Sequence, residues 1–198
     1  MGFSLQFLNE CIEVINKINI TDIENAVDVL SETKIKKGRL FLIGSGGGAG
    51  HSSHAVCDFR KICNIEAYAP YDNISELTAR VNDDGWDGTI VNWLKVSNLN
   101  ANDCLLVFSV GGGNYEKNIS TNLVQAITYA KSNDAKVVGI VGKDGGYTKQ
   151  TGDAVVMIPV INHNHITAIT EGFQAIIWHL LVSHPKLQVN PTKWESTQ

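Results

Sequence analysis

The chain has no CxxC pair, no Gly-Lys-Ser/Thr phosphate motif and no apolar run near the roughly 20 residues of a membrane span. The spacing of Cys11, Cys57, Cys63 and Cys104 excludes zinc-finger and thioredoxin-type sites. A reduced, cytoplasmic chain with buried thiols is expected. Basic charge is short as well. Lys and Arg total 16 against 20 for Asp and Glu, a net charge of -4. No general attraction to nucleic acid or to an anionic membrane follows, and neither is expected as a partner. The tight basic cluster, Lys34, Lys36, Lys37 and Arg39, reads as a solvated helix end. The first residues lack a basic n-region, so no signal peptide is expected, and Phe3-Ser4-Leu5-Gln6 does not read as a myristoylation signal.

What is present is ordinary for a packed globular protein: 43% hydrophobic and 18% charged residues in a chain of 198, which excludes wholesale disorder. Leu5, Leu8, Ile12 and Ile15 recur at helical spacing and predict a first helix ending near Lys17. Thr21-x-x-Glu24 reads as a capping box that opens a second, with Ile23, Val27 and Leu30 on one face. Both precede any strand. Residues 1–37 therefore read as a helical arm packing against other subunits, and 38–198 as the main domain.

Strands are predicted at 39–43, 65–68, 104–108, 136–141 and 154–158. Helices are predicted at 51–62, 75–80, 89–94, from the N-cap Ser120 to about Ser132, and at 166–184. Asn82–Gly85 reads as a turn and 142–152 as a glycine-rich loop. Ile169, Phe173, Ile176, Ile177 and Leu180 form the apolar stripe of the last helix, and the tail from Pro185 reads as polar and extended. Strands apolar on both faces, alternating with helices, predict an α/β fold with a parallel sheet covered on both sides.

Ser45, Gly46, Gly47 and Gly48 lie between a strand and a helix. Glycines let the backbone turn tightly, and a helix start offers free N–H groups and a positive dipole end. Phosphate binding is the favoured reading, with a dinucleotide or a purely structural turn as alternatives. Ser109, Gly111 and Gly112 repeat the arrangement after a later strand, so both loops would face one crevice. Ser109 and Ser120 would add hydroxyl donors. His51 stands at the mouth of the first loop.

His54 and Asp58 are four apart on the helix after the first loop, which puts both on one face at metal-ligand spacing. Such a pair is also a common surface hydrogen bond. Glu171 and His179 lie on the last helix, where eight residues turn about 80° and rise about 12 Å. One metal between them needs long reach or an irregular helix start, Gln174 and His184 are nearby alternatives, and a core histidine is the default for His179. His163 and His165 read as exposed polar loop residues, with metal binding as the alternative.

The stretches GSGGGAGHSSHAVCDF (44–59), ELTARVNDDGW (76–86), LLVFSVGGGN (105–114), AKVVGIVGKDGG (135–146) and TEGFQAIIWHLL (170–181) resemble the SIS-domain phosphoheptose isomerases. The resemblance implies a flavodoxin-like three-layer α/β sandwich around a five-stranded parallel sheet, assembled as a homotetramer with interfacial active sites. It implies isomerisation of sedoheptulose 7-phosphate to D-glycero-D-manno-heptose 7-phosphate for surface polysaccharide, with a divalent metal such as Zn2+. On this chain the implied metal ligands are His54, Asp58, Glu171 and His179, with Asp58 and His179 catalytic. The implied substrate contacts add the two glycine loops, His51, Asp72, Asn73, Ser109, Ser120 and Thr121. The chain departs from the family in having Asp58 for Glu, Glu171 for Gln, Gly48 for Ser, and Val110 and Gly111 for Thr and Ser. It also carries an insertion before Ser120. A more backbone-based phosphate grip is expected.

Overall fold

The computed structural model describes residues 2–192; the predicted tail beyond them lies outside this range. Two helices, α1 (Phe3–Lys17) and α2 (Ile20–Ile35), precede an alternation of strands and helices: β1 (Leu40–Gly44), α3 (Gly47–Lys61), β2 (Ala67–Tyr68), α4 (Ile74–Val96), β3 (Cys104–Ser109), α5 (Thr121–Ser132), β4 (Lys136–Val141), α6 (Gly146–Thr151), β5 (Ala154–Met157) and α7 (Ile166–Ser183). The five strands pair in the order β2-β1-β3-β4-β5, and every pairing is parallel. The chain leaves β1 for β2 on one side and returns to β3 on the other. The order therefore reverses between β1 and β3, which opens a crevice at their carboxyl ends.

The strands are buried on both faces, and their side chains alternate between two cores. Leu40, Leu42, Leu106, Phe108, Val138 and Ile140 pack with α2, α3 and α7, while Phe41, Ile43, Leu105, Val107 and Val137 pack with α4 and α5. This is the three-layer α/β sandwich expected from the sequence.

Several local expectations change. Helix α2 begins at Ile20, with Asn19 as its N-cap: the Asn19 side chain accepts from the Thr21 N–H at 3.0 Å, so no capping box is used. Ile23, Val27 and Leu30 are buried within this chain, in the same core as β1 and β3. The α1 stripe is different. Phe3, Leu5, Leu8, Ile12 and Ile15 are all exposed, and α1 buries Glu10 and Val14 instead. Helix α4 runs through the predicted turn but breaks at Gly85, whose φ of 71° is non-helical. The glycine-rich loop winds into α6. On α7, Ile176 and Leu180 are exposed, and Trp178, Leu181 and Val182 fill the core.

His163–Ser183 is long and apolar enough to cross a membrane by length and composition. Here it packs as a core helix on α3 and the sheet. The segment after α7 is not free: the N–H groups of Val189 and Asn190 both donate to the Ile62 carbonyl at 2.9 Å. Arg39 is not a solvated helix end either. It pairs with Asp103 at 2.7 Å, and Asp103 is buried. Among the thiols, Cys63 and Cys104 are buried as expected, while Cys57 is exposed.

Candidate functional site

The site is built at the carboxyl ends of β1 and β3. Gly44 ends β1, and the Tyr71 hydroxyl brackets it, accepting from the Gly44 N–H at 3.1 Å and donating to the Gly44 carbonyl. Gly46 turns the chain with φ +58°, and α3 starts at Gly47, four residues earlier than predicted. Bare backbone is what allows this early start. A Cβ on Gly47 would stand 2.5 Å from the Glu171 carboxylate, and one on Gly48 would stand 2.5 Å from the Phe108 carbonyl oxygen. Without side chains, the first turn of α3 seats directly against α7 and β3. The Ser45 hydroxyl is buried and has no hydrogen-bond partner among the described residues. A ligand oxyanion at the α3 N-terminus would satisfy it.

About two and three turns along, α3 presents His54 and Asp58, and α7 brings His179 to meet them. One donor atom from each of the three lies within 4.8 Å of the others. His179 Nε2 is 3.9 Å from Asp58 Oδ2. Its Nδ1 lies 2.7 Å from the Ala175 carbonyl, a bond in which Nδ1 must be the donor. That fixes the tautomer and leaves the Nε2 lone pair for a ligand or a proton. The His54 ring meets the Trp178 ring edge-on at 4.8 Å and the His179 ring at 5.7 Å. Two imidazole nitrogens and a carboxylate oxygen suit zinc or a similar divalent ion with an open coordination position. The residues fit the implied metal.

Glu171 stands outside this trio. Its carboxylate lies over Gly47, beside His51. Burial pushes the His51 pKa down, and Glu171 opposes that shift. The two α7 residues thus stand at different places, Glu171 over Gly47 and His179 with His54 and Asp58.

The second loop is built differently. Ser109 Oγ accepts from the Gly112 N–H at 3.0 Å. Gly112 and Gly113 have φ of +71° and +80°. Both carbonyls are taken by the start of α6: Thr148 N and Oγ1 bond Gly112 O at 2.9 and 2.8 Å, and Tyr147 N bonds Gly113 O at 2.8 Å. The insertion closes as an antiparallel bridge between Asn114 and Ile119. Ser120 does occupy the N-cap of α5, but with a left-handed backbone and no side-chain cap bond. Its hydroxyl is not spent on the helix.

The remaining predicted contacts are engaged structurally. Thr121 donates to Asp87. Asp72 Oδ1 accepts from Ser53 Oγ at 2.6 Å, and Asn73 caps α4 by accepting from Glu76 N at 3.2 Å. Sequence reasoning missed Tyr71 and Trp178, since neither stands at a spacing that signals a role. It also read His165 as exposed filler. His165 Nδ1 instead contacts Glu10 Oε2 at 2.6 Å, tying α1 to the start of α7.

The profile described as "SIS domain" matches residues 5–142. A phosphoheptose isomerase of Vibrio parahaemolyticus is 30% identical over 184 residues, covering 88% of this chain and 91% of that protein. The lincomycin biosynthesis protein LmbN of Streptomyces lincolnensis is 28% identical over 167 residues, covering 79% of this chain but only 59% of its own length. Among solved structures, the phosphoheptose isomerase GmhA of Neisseria gonorrhoeae superposes with a TM-score of 0.78 at 22% identity, covering 90% of this chain and 95% of that one. The chain belongs to the SIS domain family.

Proposed function

We propose that this chain is an aldose–ketose isomerase of sugar phosphates. Its proposed substrate is sedoheptulose 7-phosphate, converted to D-glycero-D-manno-heptose 7-phosphate for surface polysaccharide. The carrying observation is the convergence of His54, Asp58 and His179 beside the first glycine loop. The relative from Vibrio parahaemolyticus, named a phosphoheptose isomerase, supports the heptose.

Both glycine loops, with the hydroxyls of Ser45 and Ser109 and of Ser120 or Thr121, bind the phosphate end and aim the sugar along the crevice. His54, Asp58 and His179 would hold a divalent metal, zinc by donor type, with Glu171 as a further ligand or substrate contact. When bound, the metal supplies polarisation of the carbonyl and its neighbouring hydroxyl. Asp58 and His179 share the proton transfer between C1 and C2 through a cis-enediol. With Nδ1 bonded to the Ala175 carbonyl, the single His179 Nε2 lone pair either ligates the metal or accepts the proton, and where it ligates, Asp58 carries the transfer through its second carboxylate oxygen. The exposed stripe on α1, with Ile176 and Leu180 on α7, supports a homotetramer with interfacial sites.

A second reading is isomerisation of a different sugar phosphate. The inserted turn at 114–119 and the similarity to LmbN favour it. The test is a proton NMR time course with sedoheptulose 7-phosphate and a panel of other ketose phosphates, run with zinc and with a chelator. New anomeric signals from the heptulose, lost on chelation, are expected. Turnover of another ketose phosphate alone supports the second reading. No turnover of any would leave a non-catalytic sugar-phosphate-binding module.

A further inference from the structure

We infer that Lys117 and Lys143 form a cationic clamp for the substrate's phosphate, replacing hydroxyls that the second glycine loop lacks. The inference rests on the sugar-phosphate reading above. A small cleft beside this loop is lined by Gly111, Gly113, Lys117, Lys143, Asp144 and Gly146, among others. Its two walls are joined. The Gly142 N–H donates to Val110 O at 3.0 Å, and the α6 start holds the Gly112 and Gly113 carbonyls. The loops after β3 and β4 are therefore hydrogen-bonded to each other at the carboxyl ends of these strands. Gly142 also seats against Thr170, the residue before Glu171.

Each lysine is placed by local backbone geometry. The Lys117 N–H donates to Asn114 Oδ1 at 2.8 Å, inside a turn closed by the Asn114–Ile119 pair at 2.9 and 3.0 Å. Lys143 sits in a left-handed conformation, φ +52°, at the tip of the β4 loop. Among the described residues neither ammonium group has an ion-pair or hydrogen-bond partner, unlike Lys131, Lys136 and Lys186. Asp144 shares the cleft, but one of its oxygens accepts from the Gly146 N–H at 3.2 Å. Two ammonium groups against one carboxylate leave a net positive cleft. A phosphate monoester carries about -1.5 to -2 charges at neutral pH and takes lysine as a point-charge partner. Val110 and Gly111 offer no side-chain donor, and a Cβ at Gly111 would meet nothing within 4 Å. The space and the charge both favour an anion there. The insertion thus changes the grip from hydroxyl-based to charge-based.

The test compares Lys117→Gln, Lys143→Gln, the double variant and Lys149→Gln, a nearby exposed lysine outside the cleft. Binding of inorganic phosphate and of sedoheptulose 7-phosphate is measured by calorimetry at low and high salt, beside steady-state kinetics. Charge-assisted bonds at a partly exposed site predict about a tenfold loss of affinity per lysine, with KM raised and kcat within about twofold. The double variant should lose most of the salt dependence. Arginine at either position should restore binding, and Lys149→Gln should match the wild type. Unchanged binding by the double variant, while the wild type binds, overturns the clamp and leaves the isomerase reading standing. A wild type that binds no phosphate ester overturns both.

Discussion

Gly112→Ala tests whether the second glycine loop is held by close backbone approach. Gly112 has φ +71°, a conformation that costs an L-residue roughly 1–2 kcal/mol. A Cβ there would stand 1.8 Å from the Gly145 carbonyl oxygen, so backbone must move on one side or the other. Overpacking of that kind costs roughly 1–3 kcal/mol. Movement also endangers the bonds at 2.9 and 2.8 Å from Thr148 to the Gly112 carbonyl. The expected loss is about 2–5 kcal/mol, which is a fall in Tm of about 5–15 °C for a chain of this size. Thermal unfolding followed by circular dichroism reads it, with urea titration to check that the m-value is unchanged. Gly111→Ala is the control, because its Cβ would meet nothing within 4 Å. The reasoning is refuted if Gly112→Ala melts within about 2 °C of the wild type, or if both variants fall equally.

Other expectations follow from the same contacts. Arg39→Met removes the cation from the buried Asp103 carboxylate, which keeps its backbone donor at residue 39 and its Asn100 donors, and should cost about 2–4 kcal/mol in urea, with Arg39→Lys recovering only part of it. Hydrogen bonds from His165, Asn162 and Gln6 hold the Glu10 carboxyl down to about 2 from an ordinary 4.5. A depressed folded-state pKa contributes stability that is present above about pH 4.5 and lost as pH falls toward 2. The wild type should therefore lose stability faster than Glu10→Gln across that window; parallel acid limbs would contradict the pairing. Cys57 is exposed, whereas burial pushes Cys63 to about 11 and Cys104 to about 12. Iodoacetamide on the native protein should label Cys57 and spare Cys63 and Cys104, read by peptide mass spectrometry. Asp58→Ala should lower turnover by about two to four orders of magnitude while leaving Tm nearly unchanged, since Asp58 is a partly exposed helix residue.

Much of the fold was legible because a two-sided parallel sheet leaves a strong mark: short apolar runs, each followed by glycines and an amphipathic helix. The same pattern located both loops and the His54–Asp58 pair. What was not legible depends on contacts distant in sequence. The periodicity of α1 marks an apolar face that is exposed in this structure, whereas α2, read with it as an arm packing against other subunits, buries Ile23, Val27 and Leu30 within the chain. Low propensity put the start of α3 too late, because Gly47 and Gly48 are wound into the helix by their contacts with α7 and β3. His179 was ambiguous by spacing alone, and only the packing of α7 on α3 brings it to His54 and Asp58. Tyr71 and the Glu10–His165 pair each act across the fold, where no local pattern points to them.

The most direct test of the central claim is the isomerisation of sedoheptulose 7-phosphate in heavy water, followed by proton NMR. Proton transfer between C1 and C2 through an enediol exposes the abstracted proton to solvent. The account predicts deuterium at the carbon that is reprotonated in the product, formed by the wild type and not by Asp58→Ala or His179→Ala. Conversion without any deuterium, or at wild-type rate in both variants, would contradict it.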